Sequence, residues 1–332
     1  MWKRVVVKVL VTGGAGYIGR AICDSFSRRG HNAYQLDDLS NSTPEGIEDT
    51  LYVESVENYQ GICRVIRSVE PDVIVNAAGL KDAVESYEIP EKYLSANTVG
   101  MANILSAAKR FGVDKVIQSS SCAIYSPASP MPLTESSPVD PSTPYGLSKL
   151  ASERLGRWWA DKGSGRFVSL RYFNIAGAVL ERNIGERSIK RPTQLFPSII
   201  HSIQTGKEFS AYTSPIESIS KTPIRDYLHV EDVAEAHVLA AEKEISGIYN
   251  LGTGQGYSVT DVIECFERIS NSEINTVFLP PRPGDVPLSI ADATLARTQL
   301  EWKPRHNLES ICKSTWQWHQ QERYRLDKDW QS

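Results

Sequence analysis

An apolar run that breaks into evenly spaced glycines narrows the choice of fold more than any other feature of this chain. Val9-Leu10-Val11-Thr12 leads into Gly13-Gly14-Ala15-Gly16-Tyr17-Ile18-Gly19, and a helical pattern opens at Arg20. A strand ending in such a turn lets backbone N–H groups approach a pyrophosphate and aims a helix N-terminus at its charge. The expected fold class is therefore α/β, a Rossmann-type doubly wound parallel sheet. The following periodicity agrees with it. Candidate strands are Val5–Val11, Ala33–Leu36, Leu51–Val53, Val73–Ala77, Lys115–Ser119 and Val168–Tyr172. Helical patterns cover Arg20–Arg29, Gln60–Val69, Pro90–Phe111 and Tyr145–Lys162.

Asp37 ends the second candidate strand, about 20 residues beyond the turn, where an acid binds a ribose 2′-OH and repels a 2′-phosphate. NAD is thus favoured over NADP. A second pattern answers the first in Tyr145-Gly146-Leu147-Ser148-Lys149, where Tyr145 and Lys149 share one helix face. A lysine ammonium beside a phenol favours the phenolate and draws its pKa toward neutrality. Ser119-Ser120-Ser121 closes the preceding strand and offers a hydroxyl. A base, a positioning hydroxyl and a dinucleotide are what oxidation of an alcohol requires.

Beyond residue 172 the texture changes to a loop-rich region holding Pro192, Pro197, Pro215, Pro223, Pro280, Pro281, Pro283 and Pro287. We expect residues 1–172 to form the dinucleotide domain, with segments near 228–251 returning to it. Residues 173–332 then form a smaller C-terminal α/β substrate domain. The returning pieces are a helix at Val230–Lys243 and a strand at Gly247–Leu251. Gly252-Thr253-Gly254-Gln255-Gly256 looks like a second dinucleotide turn, but no acidic strand follows, which favours an ordinary loop. Trp316–Ser332 reads as a docked helix or a frayed tail.

Charge and cysteine usage exclude several classes. A net charge of −4 leaves no footprint for nucleic acid. No apolar run nears the roughly 18 residues of a membrane span. The start of the chain carries no signal-peptide pattern. The five cysteines, Cys23, Cys63, Cys122, Cys265 and Cys312, are scattered without a C-x-x-C pair. They suggest neither a disulfide framework nor a metal site, and point to the cytoplasm.

The segments VTGGAGYIG, Ala78-Gly79-Leu80-Lys81, SSSCAIY, PYGLSK, Arg171-Tyr172-Phe173-Asn174, Ile224-Arg225-Asp226-Tyr227-Leu228-His229-Val230 and Arg282-Pro283-Gly284-Asp285 together resemble the extended short-chain dehydrogenases/reductases. Within them the chain is similar to the UDP-glucose (UDP-galactose) 4-epimerases, from about Lys8 to about Trp318. The resemblance implies Tyr145, Lys149 and Ser121 as the catalytic group. It places Gly13, Gly16, Tyr17, Ile18, Gly19, Asp37, Ala78, Lys81, Asn97, Tyr145, Lys149 and Tyr172 on NAD. Around the UDP-sugar it places Lys81, Ser121, Asn174, Gln194, Leu195, Arg225, Arg282, Asp285 and Ser289. The implied reaction oxidises the sugar at C4, rotates the 4-keto sugar and returns the hydride to its other face.

Guanidinium forks suit a diphosphate, although Arg225 could instead pair with Asp226 or Glu231. A homodimer through Pro90–Phe111 and Tyr145–Lys162, covering Trp158 and Trp159, is implied as well. The chain departs from the family pattern at Ser55 (an adenine-contacting Asp), Ala96 (an Asn), Ser126 (a Gly, in a loop one residue shorter), Gln194 (an Asn) and Ser289 (a Tyr closing the sugar pocket). Ser289 frees volume beside the sugar 2-substituent, so UDP-GlcNAc and UDP-GalNAc become candidate substrates. Cys122-Ala123 after Ser121 argue against a 4,6-dehydratase. A reductase or uronate epimerase on the same scaffold, and a non-catalytic NAD-binding module, remain as alternatives.

Overall fold

Strand and helix alternate through the first half of the chain and close into a seven-stranded parallel sheet. The computed structural model describes residues 6–47, 50–187, 193–216, 219–282 and 284–329. Val5, Pro192, Pro283 and residues 330–332, named above, lie outside them. The strands are β1 (Lys8–Thr12), β2 (Asn32–Asp37), β3 (Leu51–Val53), β4 (Val73–Asn76), β5 (Lys115–Ser121) and β6 (Arg166–Tyr172). Their spatial order is 3-2-1-4-5-6, and the strand Gly247–Leu251 lies beyond β6. Because β1 pairs with both β2 and β4, the chain winds in opposite directions from it and leaves a crevice at the strands' carboxyl ends.

Both faces of the sheet are covered, which is why its strands read as near-continuous apolar runs. One core joins Val9, Val11, Ile117 and Leu170 to Phe26 and to Val233, Ala236 and Ala240, from the helices Tyr17–Arg28 and Val230–Glu242. The other joins Leu10, Ile74 and Val116 to Ile62, Ile66, Met101, Ile104 and Trp159. A smaller lobe packs the helices Leu195–Thr205, Val259–Ser270 and Leu308–Asp329 around Phe196, Ile199, Phe266 and Ile311. Its strands are short: Asn174–Ala176 beside Tyr227–His229, Phe209–Tyr212 beside Thr276–Leu279, and Ile224–Arg225 between Tyr257–Ser258 and Leu288–Ser289. The C-terminal segment begins as a docked helix, with Trp318 buried under Gly185.

The helix expected over Pro90–Phe111 is not continuous. A single turn, Pro90–Tyr93, passes into the π-helical stretch Leu94–Val99 before Gly100–Phe111 resumes α-helix. The extra residue of a π-bulge redirects the side chains around it, and here the redirected residue is Asn97, at the cleft.

Candidate active site

The glycine turn is shaped by close approach. Gly13 sits at φ 69°, and a Cβ there would stand 2.7 Å from the Ala78 backbone nitrogen. A Cβ on Gly19 would fall 2.0 Å from the Gly13 carbonyl oxygen. Gly13 N–H donates to Leu36 O at 2.8 Å, seating the turn on β2. The Asp37 carboxylate accepts from Ala15 N at 3.0 Å, from Leu39 N at 2.9 Å and from the Ser42 hydroxyl at 2.7 Å. The helix Tyr17–Arg28 starts at Gly16 without a side-chain cap, so its first N–H groups stay available for an anion. The Tyr17 phenol donates to Gly177 O at 2.6 Å, which leaves its backbone as the part offered to a ligand. This cradle fits a dinucleotide: Gly13 and Gly19 admit no side chain and its acid is fixed at the end of β2.

The residues placed for acid–base work come from two adjoining elements. Thr143 caps the helix Pro144–Asp161 by accepting from Gly146 N at 3.0 Å, and Pro144 supplies the first helical position. Tyr145 follows in the first turn and Lys149 one turn later. Ser121 ends β5 beside the Tyr145 phenol, whose pKa it lowers. Tyr93 packs edge-on against the Tyr145 ring at 6.3 Å.

The electrostatics differ from the sequence expectation. Burial pushes the Tyr145 phenol up to about 12, outweighing the Ser121 hydroxyl that lowers it. Lys149 is itself lowered to about 8 by burial and donates to the Ser119 carbonyl oxygen at 3.0 Å. The ammonium is spent on that carbonyl, so it does not draw the phenol toward neutrality in this arrangement.

Asn97 and Tyr172 are engaged inside the protein. Asn97 Oδ1 accepts from Leu80 N at 2.9 Å, and its amide donates to Leu80 O at 3.1 Å and to the Ser148 hydroxyl at 2.8 Å. It thereby ties the Ala78-Gly79-Leu80 turn to the Tyr–Lys helix. The Tyr172 hydroxyl lies against Ser119 and His237. Ser55 accepts from Glu57 N at 3.2 Å and closes its own turn.

The opposite wall is built by the smaller lobe, with Lys81 meeting it from the loop after β4. Lys81 is ion-paired with Glu186 at 2.5 Å, and Asn174 is exposed at the cleft. Gln194 and Leu195 start the helix Leu195–Thr205. Arg225 faces Asp285 at 3.8 Å, while Arg282 contacts the same carboxylate at 3.1 Å and lies over the Tyr212 ring at 4.6 Å. Pairing of Arg225 with Asp226 or Glu231 is therefore corrected. The Asp226 carboxylate is consumed by Thr253 N at 2.9 Å, Gly254 N at 2.9 Å and the Thr253 hydroxyl at 2.6 Å, and Glu231 turns to Arg28. These bonds also tie the Gly252–Gly256 segment down as a loop. Ser289 is buried beside Cys122, whose thiol burial pushes up to about 11.

Sequence reasoning overlooked Glu186, Tyr212 and His237, and named Cys122 without its place beside Ser289. It also overlooked a buried ion pair behind the site, Glu153 to Arg171 at 2.5 Å, which adds a Glu153 contact to Ser169 at 2.8 Å. Only Glu153 had a local signal, one further turn along the Tyr–Lys face.

Fold and cleft together define a Rossmann-type enzyme whose dinucleotide cradle opens onto an acid–base group. Residues 9–252 match the NAD dependent epimerase/dehydratase family, and the chain belongs to it. The UDP-glucose 4-epimerase of Bacillus subtilis (strain 168) is 35% identical over 326 residues, covering 93% of this chain and 96% of that protein. A crystal structure of UDP-glucose-4-epimerase from Stenotrophomonas maltophila, with bound NAD and formylated UDP-arabinopyranose, is 34% identical with a TM-score of 0.92 and covers 96% of this chain and 99% of that one. The UDP-Glc/GlcNAc 4-epimerase of Campylobacter jejuni is 33% identical with a TM-score of 0.82, covering 95% and 99%. No helix among the described residues is long and apolar enough to cross a membrane.

Proposed function

We propose that this protein interconverts the C4 epimers of a UDP-hexose, UDP-glucose and UDP-galactose first, with NAD as a cofactor that is not consumed. The observation that carries the reading is the convergence of Ser121, Tyr145 and Lys149 beside the glycine cradle. When bound, NAD+ supplies a hydride acceptor at sugar C4 and later the donor. Tyr145 takes the 4-OH proton and gives it back, and the Ser121 hydroxyl passes or holds it. Lys149, held by the Ser119 carbonyl oxygen, holds the cofactor ribose. Arg225 and Arg282 leave Asp285 for the diphosphate, while Lys81, Asn174, Gln194 and Leu195 enclose the nucleotide sugar. We assign residues 173–332 mainly to that grip and residues 1–172 to NAD.

Two refinements follow from particular residues. Ser289, small and buried where a phenol would close the pocket, supports turnover of UDP-GlcNAc and UDP-GalNAc as well. Leu94, Val99, Leu147 and Trp158 are 41%, 49%, 51% and 62% exposed on neighbouring helices, which supports a homodimer through that face. Trp159 is instead buried in its own core, so only Trp158 is left for a partner. The free cysteines support a cytoplasmic setting.

The test incubates purified protein, with and without NAD+, separately with UDP-galactose and UDP-GalNAc, and resolves products by proton NMR. Conversion of both without net NADH is the expected result. Conversion of UDP-galactose alone removes the Ser289 argument, and conversion of neither removes the epimerase reading.

A further inference from the structure

Behind the acid–base group a buried polar chain crosses the end of the sheet. The Ser119 carbonyl oxygen accepts from Lys149 Nζ at 3.0 Å, and the Ser119 hydroxyl shares a 2.7 Å hydrogen bond with the Tyr172 phenol. The phenol stands 2.5 Å from His237 Nε2, with the two rings edge to face at 5.6 Å. His237 Nδ1 lies 2.9 Å from the Val233 carbonyl oxygen. A carbonyl only accepts, so Nδ1 carries the ring proton and Nε2 is the acceptor. Burial lowers His237 to about 4, which keeps the ring neutral and this tautomer in place at ordinary pH. Nε2 is thus the acceptor that both hydroxyls face: the Tyr172 phenol donates to Ser119 Oγ, and the Ser119 hydroxyl lies 3.4 Å from Nε2.

None of the four side chains is solvated: Ser119, Lys149, Tyr172 and His237 are 5%, 6%, 6% and 0% exposed. Burying that many polar groups costs stability that an apolar packing of the same volume would not. The chain also joins helices on opposite faces of the sheet, with His237 on Val230–Glu242 and Lys149 on Pro144–Asp161.

We propose that His237 is a positioning residue for the reaction: through Tyr172 and Ser119 it fixes the carbonyl that holds the Lys149 ammonium, and so sets where the lysine stands relative to Tyr145. The inference rests on the roles assigned above to Tyr145 and Lys149. A misplaced lysine weakens the ribose contact, and with it the placement of the cofactor against Tyr145, without touching the grip on UDP, so the loss falls on kcat and spares KM.

The test compares His237→Phe, His237→Gln, Tyr172→Phe and the double variant His237→Phe/Tyr172→Phe with the wild type. Steady-state turnover of UDP-galactose and the thermal midpoint are measured on each. His237→Phe and Tyr172→Phe are each expected to lower kcat about tenfold with KM within about twofold. Gln, whose amide oxygen can accept from the Tyr172–Ser119 hydroxyl pair without titrating, restores kcat to within about threefold. The double variant falls no further than either single one, because both cut the same chain. Tyr172→Phe keeps the ring and its volume, so it carries the test where His237→Phe fails to fold. An unchanged kcat in folded Tyr172→Phe, multiplying losses in the double variant, or equal losses in Gln and Phe that track the thermal midpoint would overturn the proposal. An inactive wild type overturns the epimerase reading beneath it instead.

Discussion

On the cleft wall formed by the main sheet, Tyr145, Ser121 and Lys149 hang from a capped helix and the end of a central strand, braced by buried partners. On the facing wall, Arg225 and Arg282 share Asp285, and Lys81 holds Glu186, on two-residue strands and loops. The first wall is finished before a ligand arrives. The second stores its cations on the protein's own carboxylates and, on the proposed reading, exchanges those partners for phosphate. Rigid placement suits proton transfer, where a small displacement is costly. Exchangeable ion pairs suit a ligand that must be held by its diphosphate while its sugar turns over.

Breaking the rigid wall should have the largest effect. Tyr145→Phe is expected to lower kcat by roughly 10²–10⁴-fold with the fold and UDP affinity kept, read by turnover of UDP-galactose and by UDP titration. A loss confined to KM would remove the phenol from the chemistry. On the exchangeable wall, Arg282→Met or Arg225→Met should raise KM about tenfold and leave kcat within about threefold. Equal loss of kcat would mean that these arginines do more than grip.

The comparison sharpens at the sugar. Ser289→Tyr should cut kcat/KM for UDP-GalNAc by about 100-fold and for UDP-galactose by no more than a few-fold, the range that pocket shape can supply. Equal losses on both substrates would mean that Ser289 does not set pocket width.

The smallest effect lies outside both walls. The His306 and His229 rings stack at 4.0 Å, and His306 Nδ1 meets the Asp232 carboxylate at 3.1 Å. Asp232, its main cause, raises the pKa of His306, whereas burial lowers that of His229 to about 3. His229 Nδ1 accepts from Glu231 N at 3.2 Å, and so caps the helix Val230–Glu242. A raised histidine stabilises fully below its ordinary pKa of about 6.5 and loses that contribution as pH climbs through the raised value. The thermal midpoint should therefore drop by about 2 °C between pH 6 and 8 in the wild type, and less in His306→Gln. Identical pH profiles would remove the Asp232 pair from the account.

The two walls were unequally legible in the sequence for the same physical reason. The sheet wall is written locally: β1, the glycine turn and the Tyr–Lys spacing each show within a dozen residues, because strand and helix periods repeat over that length, and Asp37 follows at a fixed spacing of about 20. The π-helical stretch at Leu94–Val99 carries no such period, so Asn97 could be named but not its brace on Leu80 and Ser148. On the other wall, Arg225 meets Asp285 from 60 residues away and Lys81 meets Glu186 from 105. No local pattern encodes such meetings. His237 was missed for the same reason, since its partner Tyr172 lies 65 residues upstream across the sheet.

The most direct test of hydride leaving and returning at one carbon uses UDP-galactose deuterated at C4, turned over in ordinary water and followed by proton NMR and by absorbance at the NADH band. The account predicts UDP-glucose that retains the deuterium at C4, with no lasting rise in absorbance. Exchange of the label for solvent hydrogen, or stoichiometric NADH with a keto product, would contradict it.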